Sequence, residues 1–213
     1  MSLATRGIWP MTRVLLTAFE PYGPWTENAG WVLLQHLVQQ LPSEPKVTTR
    51  LYPVDLATLR TRLSSDLRSH YDVALLLGQS PGSARFALES IAVNVALSAG
   101  ALPEEATQLA ADGPVAYRSS LPLEDWSRAL RCQGIPATVS HHAGTYLCNA
   151  AFYLAHYFAQ SYRFPTQIGF IHVPLTTAQV VAANRDMASL PVETSSLAVR
   201  WILKSLNAKV AST

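Results

Sequence analysis

Charged residues and cysteines are scarce in this sequence, and their scarcity limits what the protein can be. Of 213 residues, 16 are Lys or Arg and 14 are Asp or Glu, so only 14% are charged, whereas 49% are hydrophobic. A chain this apolar is not intrinsically disordered, because it can bury enough surface to offset its conformational entropy. Its length suits one domain and is short for two. We therefore expect a single domain over residues 11–213 that forms a homo-oligomer, preceded by a disordered or non-native extension at residues 1–10.

The sequence also lacks a basic cluster and a long apolar run. Its basic residues are spread along the chain, whereas a nucleic-acid-binding surface gathers them on one face. Apolar runs such as Val73 to Leu77 are far shorter than the about 20 residues of a membrane-spanning helix. We therefore expect neither nucleic acid nor a membrane as a partner.

Only two cysteines occur, Cys132 and Cys148, which is too few for the disulfide framework of a small secreted protein. The first residues do not follow the order of a signal peptide, so we expect a cytoplasmic protein with free thiols. No histidine pair has zinc-ligand spacing with a third ligand, and no glycine loop has the phosphate-binding or dinucleotide-binding pattern. We expect no metal and no cofactor.

Strand-like and helix-like segments alternate along the chain. The predicted strands are Arg13–Phe19, Val47–Tyr52, Val73–Leu77, Phe86–Leu97, Ala137–Ser140 and Gln167–Val173. The predicted helices are Asn28–Leu41, Leu56–Leu67, Leu123–Cys132, Tyr146–Gln160 and Glu193–Leu206. This order predicts an α/β fold, a single domain with a mostly parallel twisted sheet and helices on both faces (an α/β/α sandwich). Gly100 to Pro122 is interpreted as a long surface loop of the kind that covers a cleft.

Cys148 is the candidate nucleophile. It follows a turn that contains Gly144 and lies at the start of an apolar helix. Free amide N–H groups and the helix dipole stabilise a thiolate at such a position, and the thiolate is the nucleophilic form of sulfur. The alternative is a buried core cysteine, which is the interpretation that we keep for Cys132.

His172 and Glu89 are polar residues inside otherwise apolar strands. An imidazole or a carboxylate is unfavourable there unless it has a hydrogen-bonding or charged partner. Taken singly, a structural histidine and an exposed edge-strand glutamate remain open as alternatives. With Cys148, the two supply the nucleophile, base and orienting acid that covalent acyl transfer requires. His141 and His142 are poorer candidates, because they also suit a turn that faces solvent.

Several segments resemble the type I pyroglutamyl peptidases, a family of cysteine peptidases. The matching segments, in chain order, are Leu15–Gly23, Gly78–Gln79, Leu88–Glu89, Ile91–Asn94, Gly113–Tyr117, Gly134–Ala137, Ala143–Asn149 and Phe170–Pro174. The resemblance implies removal of an N-terminal pyroglutamyl residue from peptides without a cofactor, by a cytoplasmic α/β protein that commonly forms a tetramer. It places the catalytic residues at Cys148, His172 and Glu89. It places the residues that hold the lactam ring at Phe19, Tyr22, Gln79, Tyr146 and Leu147.

The chain also departs from the family pattern. Ala18 stands where the family usually has glycine, and His141 where it has asparagine. Arginines that are usual in the family are replaced at Ser83, Ser90 and Ala99, and Arg85 is a candidate to compensate. Two alternatives therefore stay open: a catalytically impaired homologue that binds a small amide or serves as an interaction protein, and a cysteine amidase with another acyl preference.

Overall fold

The fold is an α/β/α sandwich, as the sequence predicts. The computed structural model describes residues 11–98 and 100–208. Its strands are Arg13–Phe19 (β1), Lys46–Tyr52 (β2), Val73–Gln79 (β3), Phe86–Glu89 (β4), Ile91–Val93 (β5), Ala116–Arg118 (β6), Ala137–Ser140 (β7), Gln167–Val173 (β8), Leu175–Thr176 (β9) and Ser189–Leu190 (β10). Its helices are Ala29–Val38 (α1), Leu56–Leu67 (α2), Leu123–Cys132 (α3), Leu147–Ser161 (α4), Thr177–Ala183 (α5) and Val192–Ala208 (α6). The predicted extension at residues 1–10 and the chain end after residue 208 lie outside the described residues.

Six strands form the central sheet, in the order β2-β1-β3-β8-β4-β7. The first four run parallel, whereas β4 is antiparallel to β8 and parallel to β7. Alternate residues of the central strands enter two separate cores, as the two-residue period of a strand requires. Leu16 and Leu75 pack with α1, α3 and α6 on one face, while Leu15 and Leu76 pack with α2 and α4 on the other. The sheet is therefore covered by helices on both faces.

The prediction of one strand from Phe86 to Leu97 is wrong. The strand breaks at Ser90: β4 belongs to the main sheet, and β5 pairs with β6 in a separate two-stranded sheet. The neighbouring strand β7 ends at Ser140, the partner of Glu89, so the residues after Glu89 have no strand of the main sheet to pair with on that side. Apolar alternation persists through the break, and periodicity therefore does not reveal it.

The predicted loop from Gly100 to Pro122 contains some regular structure. Pro103–Glu105 forms a 3₁₀ turn, Thr107 forms a bridge to Ala96, and β6 lies near the end of the segment. The sequence analysis also missed β9, α5 and β10, which are short elements between β8 and α6. Among the helices of the described part of the chain, none has both the length and the hydrophobicity needed to cross a bilayer.

Candidate active site

Cys148, His172 and Glu89 lie on the same face of the sheet, the face covered by α4. Cys148 is the second residue of α4, His172 is next to last in β8, and Glu89 ends β4. Strand alternation places His172 on the same side as Phe170, in the core that α4 completes. Ala87 is the register partner of His172, so Glu89, two residues along β4, faces the same side.

Glu89 and His172 are joined by a short hydrogen bond. Glu89 Oε1 lies 2.7 Å from His172 Nδ1, and the side chains are 2% and 14% exposed. A carboxylate only accepts, so Nδ1 carries the proton and the other ring nitrogen, Nε2, is left for Cys148. The second oxygen, Glu89 Oε2, is buried and has no hydrogen-bond partner among the described residues. The one described hydrogen-bond partner of this carboxylate is therefore the imidazole.

The environment of His172 favours the imidazolium form. Burial lowers its pKa, but the interactions of the ring with Cys148 and Glu89 raise it by more, and the resulting pKa is about 9. A proton therefore stays on both ring nitrogens at neutral pH. In cysteine peptidases, an imidazolium beside a cysteine stabilises the thiolate, which is the nucleophilic form of sulfur.

The start of α4 is held in place by Asn149, the residue after Cys148. Asn149 is fully buried; its Oδ1 accepts from Val93 N at 2.9 Å, and its Nδ2 donates to the carbonyls of Val93 and Val95 at 2.9 and 2.8 Å. Tyr146 precedes the helix, and no described side chain caps it there. The amide N–H groups of the first turn are therefore free to stabilise negative charge beside Cys148.

The sheet beneath the thiol is kept open by Gly78. A Cβ atom at this position would lie 2.6 Å from Phe170 Cζ and 3.1 Å from Cys148 Sγ. Both distances are shorter than an ordinary carbon contact. A residue without a side chain thus allows Cys148 to approach the sheet closely, next to His172, the register partner of Gly78.

A small cavity opens beside the thiol. The residues that line it are Phe19, Tyr22, Asn28, Val54, Gln79, Tyr146, Leu147 and Cys148. All five residues that the family resemblance assigns to lactam binding therefore line the same cavity as Cys148. The sequence analysis missed Asn28 and Val54. Val54 follows β2 closely, so a search at the carboxyl end of every strand would have included it.

Gln79 lines the cavity and carries a buried side-chain donor without a described partner. Its Oε1 accepts from Ala29 N at 2.7 Å and from Gln179 Nε2 at 2.8 Å. Its Nε2 is buried and has no partner among the described residues. The hydroxyl of Tyr22 donates to the main-chain carbonyl of Gln79 at 3.2 Å. Burial, with the charge of Cys148, raises the pKa of Tyr22 to about 12, so this phenol stays protonated at neutral pH.

Among the positions that depart from the family pattern, Ala18 is buried in β1, and Ser90, His141 and Ser83 make polar contacts. Ser90 Oγ is 2.6 Å from His141 Nδ1. Ser83 Oγ donates to the main-chain carbonyl of Arg85 at 2.7 Å, and Arg85 is exposed. Among the residues that the structure describes, no Lys or Arg lines the cavity beside Cys148. Ala99 lies outside the described residues.

Three other residues of the sequence analysis are on the surface. His141 and His142 are exposed, and His142 Nδ1 accepts from Gly144 N at 3.0 Å within the turn that leads to α4. Cys132 is exposed at the end of α3, so its interpretation as a core cysteine is wrong. Cys132 is the last residue of α3 and is not on the buried face of that helix. Over the described residues, no group of three or more His, Cys, Asp or Glu side chains is arranged to hold a metal ion.

Comparison with known proteins agrees with this geometry. The sequence profile of the family described as "Pyroglutamyl peptidase" matches residues 12–209. A pyrrolidone-carboxylate peptidase of Pseudomonas fluorescens (strain SBW25) is 34% identical over 196 residues, which cover 88% of this chain and 90% of the relative. The structure of pyrrolidone carboxyl peptidase from Thermococcus litoralis matches with a TM-score of 0.86 at 30% identity, covering 95% of this chain and 97% of that one. The corresponding structure from Pyrococcus furiosus matches with a TM-score of 0.84 at 28% identity, covering 93% and 99%. This chain therefore belongs to the pyroglutamyl peptidase family, a family of cysteine-type peptidases.

Proposed function

We propose that this protein hydrolyses the amide bond after an N-terminal pyroglutamyl residue, with Cys148 as nucleophile, His172 as acid and base, and Glu89 as the group that orients His172. The relatives are named as pyrrolidone-carboxylate peptidases. The observation that carries the proposal for this chain is the small cavity that Cys148 borders. Its walls are apolar apart from a few polar groups, which suits a flat, uncharged lactam ring.

The polar groups of the cavity suit the edge of that ring. A lactam presents one carbonyl acceptor and one N–H donor. Gln79 Nε2 is a buried donor without a described partner, so a ring carbonyl supplies the acceptor that it lacks. Phe19, Tyr22 and Tyr146 supply aromatic surface for the ring. A prolyl residue has the same ring without the carbonyl, and it leaves Gln79 unpaired.

Acylation begins with attack of the Cys148 thiolate on the pyroglutamyl carbonyl carbon. Negative charge moves to the carbonyl oxygen, where free N–H groups at the start of α4 donate to it. The C–N bond then breaks, and His172 gives its Nε2 proton to the leaving amine. The pKa of about 9 supports this role, because the imidazolium is present before attack and loses its anionic partner when the thiolate becomes a thioester.

Deacylation reverses the proton transfer. Neutral His172 takes a proton from water while the water oxygen attacks the thioester carbon. Collapse of this intermediate breaks the C–S bond, releases pyroglutamate and restores the thiolate–imidazolium pair. Glu89 holds the ring orientation through both halves of the reaction.

A second candidate is a homologue that binds the lactam but turns over slowly. It is favoured by the neutral lining of the described cavity and by the Ser90–His141 pair, which occupies positions where the family usually has an arginine and an asparagine. One preorganised donor to an oxyanion is worth about 3 kcal/mol, so its loss slows acylation markedly. An amidase with a different acyl preference is the third candidate.

One assay separates these candidates. Release of a fluorophore is measured from pyroglutamyl, prolyl and alanyl amides with the unaltered protein, Cys148→Ser and Cys132→Ser. Our proposal expects cleavage of the pyroglutamyl amide alone, lost in Cys148→Ser and kept in Cys132→Ser, since Cys132 is exposed and does not line the cavity. No turnover, with 2-pyrrolidone still raising the melting temperature, supports the binding protein. Preferred turnover of another amide supports the third candidate.

Other features are also proposals. We propose a single domain over residues 11–213, a homo-oligomeric state as dimer or tetramer, and a cytoplasmic location. We also propose that its substrates are pyroglutamyl peptides and that neither nucleic acid nor a membrane is a partner.

A further inference from the structure

Gln179 contacts the floor of the proposed lactam site without lining the cavity. It lies in α5, is 6% exposed, and is 100 positions from Gln79 in sequence. Its Oε1 accepts from Thr176 N at 2.9 Å and from Thr176 Oγ1 at 3.2 Å. Its Nε2 donates to Glu27 O at 2.9 Å and to Gln79 Oε1 at 2.8 Å. The side-chain amide of Gln179 therefore makes four described hydrogen bonds, all of them within the protein.

The direction of this network is set by main-chain groups, which cannot exchange donor and acceptor. The N–H of Thr176 requires an acceptor, and the carbonyl of Glu27 requires a donor. These two groups fix the amide of Gln179 in one orientation, so it presents an N–H to Gln79. The N–H of Ala29 approaches the same atom of Gln79. Two donors thus converge on Gln79, which must present Oε1 to them, so Nε2 is left as the buried, unpartnered donor of a residue that lines the cavity.

We propose that Gln179 is a positioning residue that selects for a carbonyl-bearing ring by holding the amide of Gln79 with its N–H₂ group toward the cavity. The inference rests on the proposed function, in which Gln79 donates to the lactam carbonyl. In the reversed orientation, Gln79 would place its N–H₂ against two other donors and its oxygen against the lactam carbonyl. Gln179 makes that orientation unfavourable, so the site is a donor before the substrate arrives.

The test uses Gln179→Leu and, as a near-isosteric second variant, Gln179→Met. Val180→Ala, in the same helix and half-buried, is the matched control for weakened packing of α5. Two quantities are measured in the full chain: KM and kcat for a pyroglutamyl amide, and the concentration of 2-pyrrolidone that half-protects Cys148 from iodoacetamide. The first needs turnover, whereas the second needs only an accessible thiol and a lactam site.

We expect both Gln179 variants to raise KM and the half-protecting concentration by roughly tenfold, with kcat changed by less than about threefold, because a binding contact is lost while the nucleophile is untouched. Val180→Ala leaves both values unchanged. In a Gln79→Leu background, Gln179→Leu adds no further loss, since its effect is transmitted through Gln79.

Two results overturn the inference alone. The first is an unaltered KM and an unaltered half-protecting concentration in both folded Gln179 variants. The second is a full additional loss of lactam binding when Gln179→Leu is added to Gln79→Leu, which identifies a purely structural role. A lack of turnover in the unaltered protein counts against the proposed function, and the protection measurement still decides the role of Gln179. If 2-pyrrolidone fails to protect Cys148 in the unaltered protein, the lactam site and the inference fall together.

Discussion

Glu89 Oε1 and His172 Nδ1 lie 2.7 Å apart, although the residues are separated by 83 positions in the sequence. The antiparallel pairing of β4 with β8 produces this contact, because it sets Glu89 and His172 on one face of adjacent strands. The carboxylate is almost fully buried, and the imidazole is its one described hydrogen-bond partner. The pair therefore determines both the orientation of the ring and the pH range in which it is charged.

Glu89→Gln should lower kcat by roughly 10- to 1000-fold while the protein stays folded, because the amide keeps the shape but loses the charge that stabilises the imidazolium. The pKa of His172, about 9 in the unaltered protein, should fall. The alkaline limb of the rate profile then moves to lower pH, as a pH series of kcat/KM will show. The exposed Glu104→Gln is the control and should leave the profile in place. An unshifted alkaline limb in Glu89→Gln would contradict the assignment.

The same pair makes stability depend on pH in the alkaline range. The pKa of His172 is raised from 6.5 in the unfolded chain to about 9 in the folded protein, so the folded state binds the proton more tightly. The stabilisation is fully present below pH 6.5 and is lost as pH rises through 9. Chemical denaturation at pH 7 and pH 10 should show this loss, and Glu89→Gln should reduce it.

Gly78→Ala should inactivate the enzyme through crowding at the thiol. The added methyl group would meet Phe170 and Cys148 Sγ, so either the helix start or the strand must move. Gly169→Ala is a matched control, because its methyl group would meet Leu121 and Leu75 in the core on the opposite face. Both changes should cost about 1–3 kcal/mol of unfolding free energy. Only Gly78→Ala should also slow alkylation of Cys148, and equal alkylation rates would refute the close approach.

Asn149→Ala should reduce activity more than its effect on stability explains. Three hydrogen bonds tie this side chain to the main chain of Val93 and Val95, and they position the helix turn that carries Cys148. Asn94→Ala is the control: Asn94 lies between Val93 and Val95, but its three side-chain hydrogen bonds go to Ala110 and Gly113 and not to α4. Kinetics at a temperature where both variants are folded should show a lower kcat for Asn149→Ala alone. A similar kcat for the two would show that the anchoring is dispensable.

His156 should make the protein sensitive to acid. Burial lowers the pKa of this histidine to about 4, and its ring packs against Tyr117 and Phe152 with Nε2 unpaired among the described residues. Because the unfolded chain binds the proton more readily, stability is present above pH 6.5 and is lost as pH falls from 6.5 toward 4, by about 3 kcal/mol. His156→Phe should flatten this part of the curve, measured by denaturant unfolding.

The half-exposed His36 provides the control for that experiment. His36→Phe should leave the acid-dependent loss of stability in place. If His156→Phe keeps the full loss between pH 6.5 and pH 4, other groups are responsible.

Much of the fold was predictable because it depends on local patterns. Apolar runs, two-residue alternation and the 3.6-residue period located the six strands of the central sheet and five of the helices. They did not locate the break at Ser90, where the pattern continues but the neighbouring strand β7 ends. Short elements such as α5 were missed, because seven residues give too little periodicity to detect.

The candidate site was predictable in its parts. A polar residue inside an apolar strand, or a cysteine at the start of a helix, is visible in the chain itself. The role of Gln179 was not, because it depends on contacts with Gln79 and with the carbonyl of Glu27, which is 152 positions away.

By itself the sequence determined the main strands and helices, which of their faces are apolar, and that Cys148, His172 and Glu89 stand out chemically. Only the tertiary structure decided that the buried carboxylate meets the imidazole, that Gly78 leaves room for the thiol, and that the amide of Gln79 has a single favoured orientation. The physical reason is that hydrogen-bond partners and steric contacts are set by strand order and register. These bring together groups that no local pattern relates.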